Sequence, residues 1–101
     1  MISEGDAVRL YAGAKDGRPG VVVRVRPDGR AFVLFGTGTA RLDLAHVLVR
    51  PRTAAGTALR LDKDTYFYTR NSRVCAENQL ERLGVGVPPG LLMDLRRLIG
   101  A

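Results

Sequence analysis

The 101-residue sequence is poor in the residues that build metal sites and disulfides. It has one cysteine, Cys75, one histidine, His46, and no tryptophan. A lone cysteine excludes an intramolecular disulfide and a cysteine-based zinc cluster. No apolar run approaches the roughly 20 residues that a membrane-spanning helix needs. Because Glu4, Asp6 and Arg9 interrupt the N-terminal segment, no signal peptide is expected. We therefore predict a cytoplasmic protein that uses no metal or cofactor and does not bind a membrane.

Acidic side chains are also scarce. Ten acidic residues stand against sixteen basic ones, which gives a formal net charge of +6 and a pI near 10.4. This balance favours a polyanionic partner, of which nucleic acid is the commonest. Fourteen of the sixteen basic residues are arginine, and a GC-rich genome would produce the same bias without selection for binding. A hydrophobic fraction of 46% excludes a disordered chain.

The first half of the chain has the pattern of short strands. Period-2 alternation or β-branched residues predict strands at 7–12, 21–25, 30–35 and 46–50, with extended structure also at 40–43. Turns are predicted at 14–17 and at Pro27-Asp28-Gly29. Val21, Val23 and Val25 are expected to share one apolar face. Short strands joined by Gly and Pro turns predict a mainly β protein, a small SH3-like antiparallel barrel.

The second half of the chain changes period. It predicts a loop at 54–56, a strand at 65–69, one or two helical turns at 77–83, and a C-terminal amphipathic helix over about 88–99. The helix carries one apolar stripe: Leu91, Leu92, Leu95, Leu98 and Ile99. No long linker is present, so residues 1–101 are predicted to form a single domain. Part of the stripe, or a strand edge, is expected to face a second copy in a homodimer.

The common catalytic motifs are missing. Ser3 and Ser72 lack a nucleophile-elbow motif, and Cys75 is expected to be a small apolar core residue. His46 lies between apolar residues and is expected to be a packed or rim side chain. The segment Gly36-Thr37-Gly38-Thr39 lacks the lysine and the helix of a phosphate-binding loop, and it predicts a bulge or bend instead.

Hydrogen-bond donors without carboxylate partners are the most informative feature. Arg18 precedes the valine-rich strand, and Thr37 and Thr39 follow the strand predicted to pair with it. An arginine can clamp a phosphate through two donors and stabilise developing negative charge, and a threonine hydroxyl adds a neutral donor. Such a set suits cleavage of RNA by its own 2′-hydroxyl without a metal. The alternative is that Arg18 is a solvated turn residue and the threonines are ordinary strand polar residues.

Several short segments resemble the MazF/PemK family of toxins, whose barrel is of the CcdB/Kid type. The N-terminal segments that carry the resemblance are Gly5-Asp6, the run GRPGVVV at 17–23 and the run FVLFGT at 32–37. The later ones are an extended piece with Leu59, Asp64-Thr65, Leu80 and Leu83 before Gly84, and the terminal helix. Two features depart from the family pattern: a short loop at 13–17 and glycines at 36–39 where the family is apolar.

The resemblance implies an SH3-like barrel that dimerises and cleaves single-stranded RNA without metal. It implies Arg18 as the catalytic arginine, Thr37 as the catalytic threonine, and an antitoxin protein as a partner. Steering of the RNA backbone is then expected from Arg24, Arg26, Arg41 and Thr39. The chain is therefore predicted to be a metal-independent endoribonuclease of toxin–antitoxin type. The alternative is a non-catalytic SH3-like barrel, similar to KOW-type modules, that binds nucleic acid or a protein partner.

Overall fold

Short strands make up most of the regular structure. The computed structural model describes residues 1–10 and 17–100. Within these residues the strands are β1 (Ala7–Leu10), β2 (Gly20–Val25), β3 (Ala31–Thr37), β4 (Val47–Val49), β5 (Thr65–Cys75) and β6 (Leu80–Arg82). The helices are α1 (Ala54–Ala58) and α2 (Pro89–Leu98), and a 3₁₀ turn, Glu77–Gln79, precedes β6. The predicted extension of the first strand to residue 12 and the predicted turn and short loop at 13–16 lie outside the described residues.

All strands of the described chain join one antiparallel sheet in the order β4-β5-β3-β2-β1-β6. The predicted fold class, mainly β in a small barrel-like sheet with a C-terminal helix, is confirmed. The β2–β3 hairpin closes where Pro27-Asp28-Gly29 predicts a turn: Gly29 has φ +86°, and Asp28 Oδ1 accepts a hydrogen bond from the backbone nitrogen of Arg30. Glycine adopts this left-handed conformation without the steric penalty of a Cβ atom.

Both faces of the sheet are buried. One face packs against α2 and the residues around α1, and we call it the helix-side core. On the other face, Ile2 packs with residues of β1, β2, β3, β5 and β6, and we call it the second core. Double burial explains why Val21, Val22 and Val23 are all fully buried, as a continuous apolar run predicts. Each such side chain contributes about 1.5–3 kcal/mol when it leaves water.

The predicted single face of Val21, Val23 and Val25 is wrong at Val25. Pairing between β2 and β3 shifts register between Val22 and Arg24, so an extra residue enters β2 there. Val21 and Val23 therefore lie in the helix-side core, whereas Val25 packs against the second core with Val22. A β-bulge moves every later side chain of its strand to the opposite face.

Four other local predictions also need correction. Residues 54–56 begin the short helix α1, because Thr53 Oγ1 accepts from Gly56 N at 3.0 Å and caps it. Residues 40–43 form a turn instead of a strand, closed by Leu44 N donating to the carbonyl of Arg41. The strand predicted at 65–69 continues to Cys75, because its second half pairs with β3. The helical turns predicted at 77–83 end at Gln79, where β6 begins.

The C-terminal helix has the predicted bounds and stripe. Leu91 and Leu95 are buried in the helix-side core, and Leu92, Leu98 and Ile99 are partly buried against it. Arg96 Nε donates to the carbonyl of Val23 at 3.1 Å and the same side chain pairs with Glu4, which fastens α2 to the sheet. The stripe therefore covers the chain's own core. None of the helices in the described ranges is long and apolar enough to cross a membrane.

Candidate functional site

A cavity of about 590 Å³ opens at one end of the sheet. Its lining comes from residues 17–19 before β2, 36–39 at the end of β3, and 59–63 after α1, with Arg9 of β1 and Thr65 of β5. Four separate stretches of sequence thus meet at one place.

The sequence-predicted residues Arg18, Thr37 and Thr39 all line this cavity. Antiparallel pairing of β2 with β3 explains their approach: Gly20 is the partner of Phe35, and Gly36 N donates to the carbonyl of Pro19 at 2.8 Å. The same register continued beyond the strand sets Arg18 across from Thr37. Directly opposed residues of an antiparallel pair project to the same face. The arginine and the threonine therefore flank the same space, although eighteen residues separate them in the chain.

The Thr37 hydroxyl is partly engaged by its own backbone. Thr37 Oγ1 accepts a hydrogen bond from Thr39 N at 3.2 Å, which leaves its hydrogen available to donate. Thr37 is half-buried, whereas Arg18 and Thr39 are exposed. The hydrogen bond from Thr39 N therefore orients the Thr37 hydroxyl, and the Thr37 side chain still lines the cavity.

Positive charge dominates the lining of the cavity. Among the described residues the lining includes Arg9, Arg18, Arg60 and Lys63, against one carboxylate, Asp62. None of these cations forms an ion pair with another described residue. Arg9 Nε is buried and, within the same part of the chain, has no hydrogen-bond partner. A buried donor left unpaired costs about 1–3 kcal/mol, so an anion beside it would be stabilised.

Arg60 and Lys63 are placed by backbone features. Arg60 has a left-handed backbone, φ +56°, and its Nη2 donates to the carbonyl of Leu83 at 2.7 Å. Lys63 lies over Gly38, where a Cβ atom would come within 2.7 Å of Lys63 Cε and 2.9 Å of Nζ. Gly38 therefore leaves room for the ammonium group at the cavity wall. No motif marks Arg9, Arg60 or Lys63 as site residues in the sequence.

The glycine-rich segment has the bend that its sequence predicts, at Gly38, whereas the extra residues of the β3–β5 pairing lie in β5, where residues 68–71 stand against Phe35 alone. Pairing of β3 with β5 shifts register between Leu34 and Gly36. At Gly36 a Cβ atom would overlap Thr65 Cγ2 and lie 3.0 Å from the Phe67 ring, so only glycine fits here without displacement. The close approach of β5 behind Gly36 lets Thr65 join the lining of the cavity.

The arginines predicted to steer RNA lie away from the cavity. Arg24 and Arg26 border a separate depression of about 350 Å³ beside Phe32, Val74 and Ile99. Arg41 follows Thr39 in the chain and pairs with Asp43, Nη2 to Oδ2, at 3.0 Å. The hydrogen bond from Arg41 lowers the pKa of the Asp43 carboxyl. The structure thus groups Arg18, Thr37 and Thr39 but separates them from Arg24 and Arg26.

Cys75 and His46 occupy the positions expected of structural residues. Cys75 is 1% exposed within the second core, and burial raises the pKa of its thiol. His46 is half-buried, and its Nδ1 lies 2.8 Å from the carbonyl oxygen of Leu44. Because a carbonyl only accepts, Nδ1 carries the proton of the neutral ring. Neither residue lines the cavity.

The arrangement offers several cationic and hydroxyl donors around a space large enough for a phosphodiester. In the described ranges, no group of three or more His, Cys, Asp or Glu side chains is placed to hold a metal ion. No protein-family model matches this chain, and no curated protein matches it. The function of this chain is therefore inferred from the geometry of the cavity.

Proposed function

We propose that this chain is a metal-independent endoribonuclease, similar to the MazF/PemK toxins, whose active site is the cavity. The observation that carries the proposal is that Arg18 and Thr37 line the same cavity, whose lining is rich in cations. Arginine and threonine donors were expected from the sequence to act on one phosphate. Their shared cavity supports that expectation.

In the proposed reaction the RNA supplies its own nucleophile. The 2′-oxygen forms a bond to the adjacent phosphorus, and its proton leaves to solvent water. The bond from phosphorus to the 5′-oxygen breaks, and that oxygen takes a proton from water. The products are a 2′,3′-cyclic phosphate and a 5′-hydroxyl, with no net uptake of water.

Arg18 acts on the charge that builds up on the phosphorus oxygens. The five-coordinate transition state carries more negative charge on its non-bridging oxygens than the substrate does. A planar guanidinium can donate to two of these oxygens at once, so it binds the transition state more tightly than the ground state. Arg18 is exposed at the cavity wall and forms no ion pair with another described residue, so its fork can meet the phosphate.

Thr37 adds a neutral hydrogen-bond donor to the same cavity. Its Oγ1 already accepts from Thr39 N, so the hydroxyl hydrogen is directed to the remaining space. Lys63 and Arg9 increase the positive potential of the cavity and attract the flanking phosphates. Single-stranded RNA is the substrate expected here, because an unpaired chain can bend into a cavity of this size.

The test is cleavage of a mixed-sequence RNA in EDTA, with the ends analysed for a 2′,3′-cyclic phosphate. Arg18→Lys keeps the charge but loses the planar fork, and Thr37→Val removes the hydroxyl at similar volume. Each should slow cleavage by about 10²–10³, the usual effect of losing one transition-state donor. The melting temperature should barely change for Arg18→Lys, because the side chain is exposed.

Matched controls make the same substitutions elsewhere. Arg30→Lys changes an exposed turn arginine at the other end of β3, about 20 Å away at 3.3 Å per strand residue. Thr69→Val changes an exposed threonine of β5. Both should cut RNA at the wild-type rate. If wild type leaves the RNA intact, or if Arg18→Lys and Thr37→Val both cut as fast as wild type, the ribonuclease proposal is wrong.

A further inference from the structure

Three aromatic side chains cluster on β5 and the segment before β4. His46 packs edge-on against Tyr66 and Tyr68, with ring centroids 5.6 Å and 5.9 Å apart. The two tyrosine rings are stacked, 6.4 Å apart and within 9° of parallel. We call His46, Tyr66 and Tyr68 the aromatic cluster. The cluster is outside the lining of the cavity and has no part in the proposed reaction.

The aromatic cluster begins where the cavity ends. Tyr66 is the direct strand partner of Thr37, so the two side chains project to the same face of the sheet. Tyr68 Oη donates to the carbonyl oxygen of Thr39 at 3.2 Å, and it also accepts a hydrogen bond from the backbone nitrogen of Arg41. The segment from Thr37 to Arg41 therefore runs from the cavity wall onto the cluster.

The cluster has a buried base and a solvent-facing part. Tyr68 is 1% exposed and is held by its two hydrogen bonds, whereas Tyr66 and His46 are only half-buried. A ring supported on one side by Tyr68 can accept another flat ring without moving. The side chains are thus ordered before any ligand binds, which lowers the entropy lost on binding.

Arg70 brings positive charge to the aromatic cluster. Its guanidinium carbon lies 5.8 Å from the centroid of the Tyr68 ring, whereas Arg41 contacts the Tyr68 hydroxyl through its backbone nitrogen. Asp43 neutralises the charge of Arg41 in an ion pair. Arg70 and the cations of the cavity therefore make the electrostatic potential of this surface positive. A proline-rich peptide would use aromatic rings as well, but it would not require the surrounding cations. Aromatic rings beside a cationic groove are the arrangement that binds single-stranded nucleic acid.

We propose that Tyr66, with His46 beside it, stacks on a nucleobase of single-stranded RNA whose neighbouring phosphate lies in the cavity. The inference rests on the proposed function for the position of that phosphate. Unpaired bases stack on aromatic side chains through a π-face that every base has, so the contact adds affinity with little sequence preference. Tyr66 is the central residue, because it links the cluster to Thr37.

The experiment measures binding of a 2′-O-methyl oligoribonucleotide, which cannot supply the attacking hydroxyl. Tyr66→Leu keeps an apolar side chain but loses the ring, and Tyr66→Phe keeps the ring but loses the hydroxyl. Tyr66→Leu should bind about tenfold or more weakly, since one stacked base is worth roughly 5- to 150-fold in affinity. Tyr66→Phe should bind like wild type. An oligomer with the same backbone but abasic positions should bind wild type and Tyr66→Leu equally.

A fluorescence measurement covers the case in which Tyr66→Leu fails to fold. The chain has no tryptophan, so Tyr66→Trp introduces a single indole at the proposed stacking position. Its emission should be quenched by the 2′-O-methyl oligomer and by DNA of the same sequence, but much less by the abasic oligomer. Quenching by the 2′-O-methyl oligomer but not by the DNA would still support stacking, and it would show in addition that the sugar is recognised.

Two results would overturn the inference in distinguishable ways. If wild type binds the oligomer and folded Tyr66→Leu binds it as tightly, or if Tyr66→Trp is saturated without quenching, stacking is wrong and the cavity proposal stands. If wild type binds none of the oligomers at low salt, the proposed function fails together with the stacking site.

Discussion

The cationic lining of the cavity predicts how strongly RNA binding depends on salt. Each phosphate neutralised on a single strand contributes about 0.7 to the slope of log affinity against log salt. Among the lining cations of the described chain, Arg18 and Lys63 are exposed, whereas the Nε of Arg9 is buried and Arg60 already donates to the carbonyl of Leu83. We expect each to contact one phosphate, so Arg18→Ala and Lys63→Ala should each lower the slope by about 0.7.

The effect is large enough to measure. The salt concentration rises fourfold between about 50 mM and 200 mM. Over that range a variant whose slope is smaller by 0.7 loses less affinity than wild type, by a factor of about 4^0.7, or roughly 2.6-fold. The double variant should differ by about 4^1.4, or roughly sevenfold, because the two contacts involve different phosphates. Fluorescence anisotropy of a labelled 2′-O-methyl oligomer over a salt series gives the slope directly.

Arg97→Ala is the matched control. It removes the same charge from an exposed position on α2, where Arg97 pairs with Asp94 at 3.6 Å. Because the Debye length falls from about 14 Å to about 7 Å over this salt range and Arg97 lies outside the cavity lining, its slope should equal that of wild type. An unchanged slope in both cavity variants would refute the assignment of RNA phosphates to the cavity. So would an equal decrease in Arg97→Ala, since net charge alone would then explain the binding.

Three further predictions concern the fold. Leu95 is fully buried in the helix-side core, so Leu95→Ala should lower the free energy of unfolding, measured in urea, by about 2–5 kcal/mol. Met93 is exposed, so Met93→Ala should change that free energy little. Equal effects of the two substitutions would contradict the core assignment. The Cys75 thiol is buried, and burial raises its pKa. At pH 8 it should therefore react with an aromatic disulfide reagent only after the protein is unfolded in urea. Rapid labelling of the native protein would contradict its burial. The predicted homodimer should form through a sheet edge such as β4, because the apolar stripe of α2 covers the chain's own core. Sedimentation that finds a monomer at tens of micromolar would contradict dimerisation.

Local sequence was sufficient for several elements because their cause is local. The β2–β3 turn follows from Pro27-Asp28-Gly29, since a glycine that can take positive φ is all the turn requires. The terminal helix follows from Pro89 in its first turn and a stripe of period 3.6. The burial of Val21, Val22 and Val23 was predicted by their continuous apolar run, but the segments that cover the two faces of the sheet come from elsewhere in the chain.

Long-range packing was needed for the rest. The second half of β5 is a strand because β3 offers it partners between 38 and 44 residues earlier in the chain, and no alternation in residues 70–75 signals this. The bulge in β2 that moves Val25 to the second core arises between two strands and leaves no mark in either one. Arg18 and Thr37 could be singled out from their segments, but their shared cavity depends on the β2–β3 register. Lys63 and Tyr66 come near Arg18 and Thr37 only because residues 59–66 fold back against the end of β3. That contact closes a loop of nearly 30 residues, which no local propensity specifies.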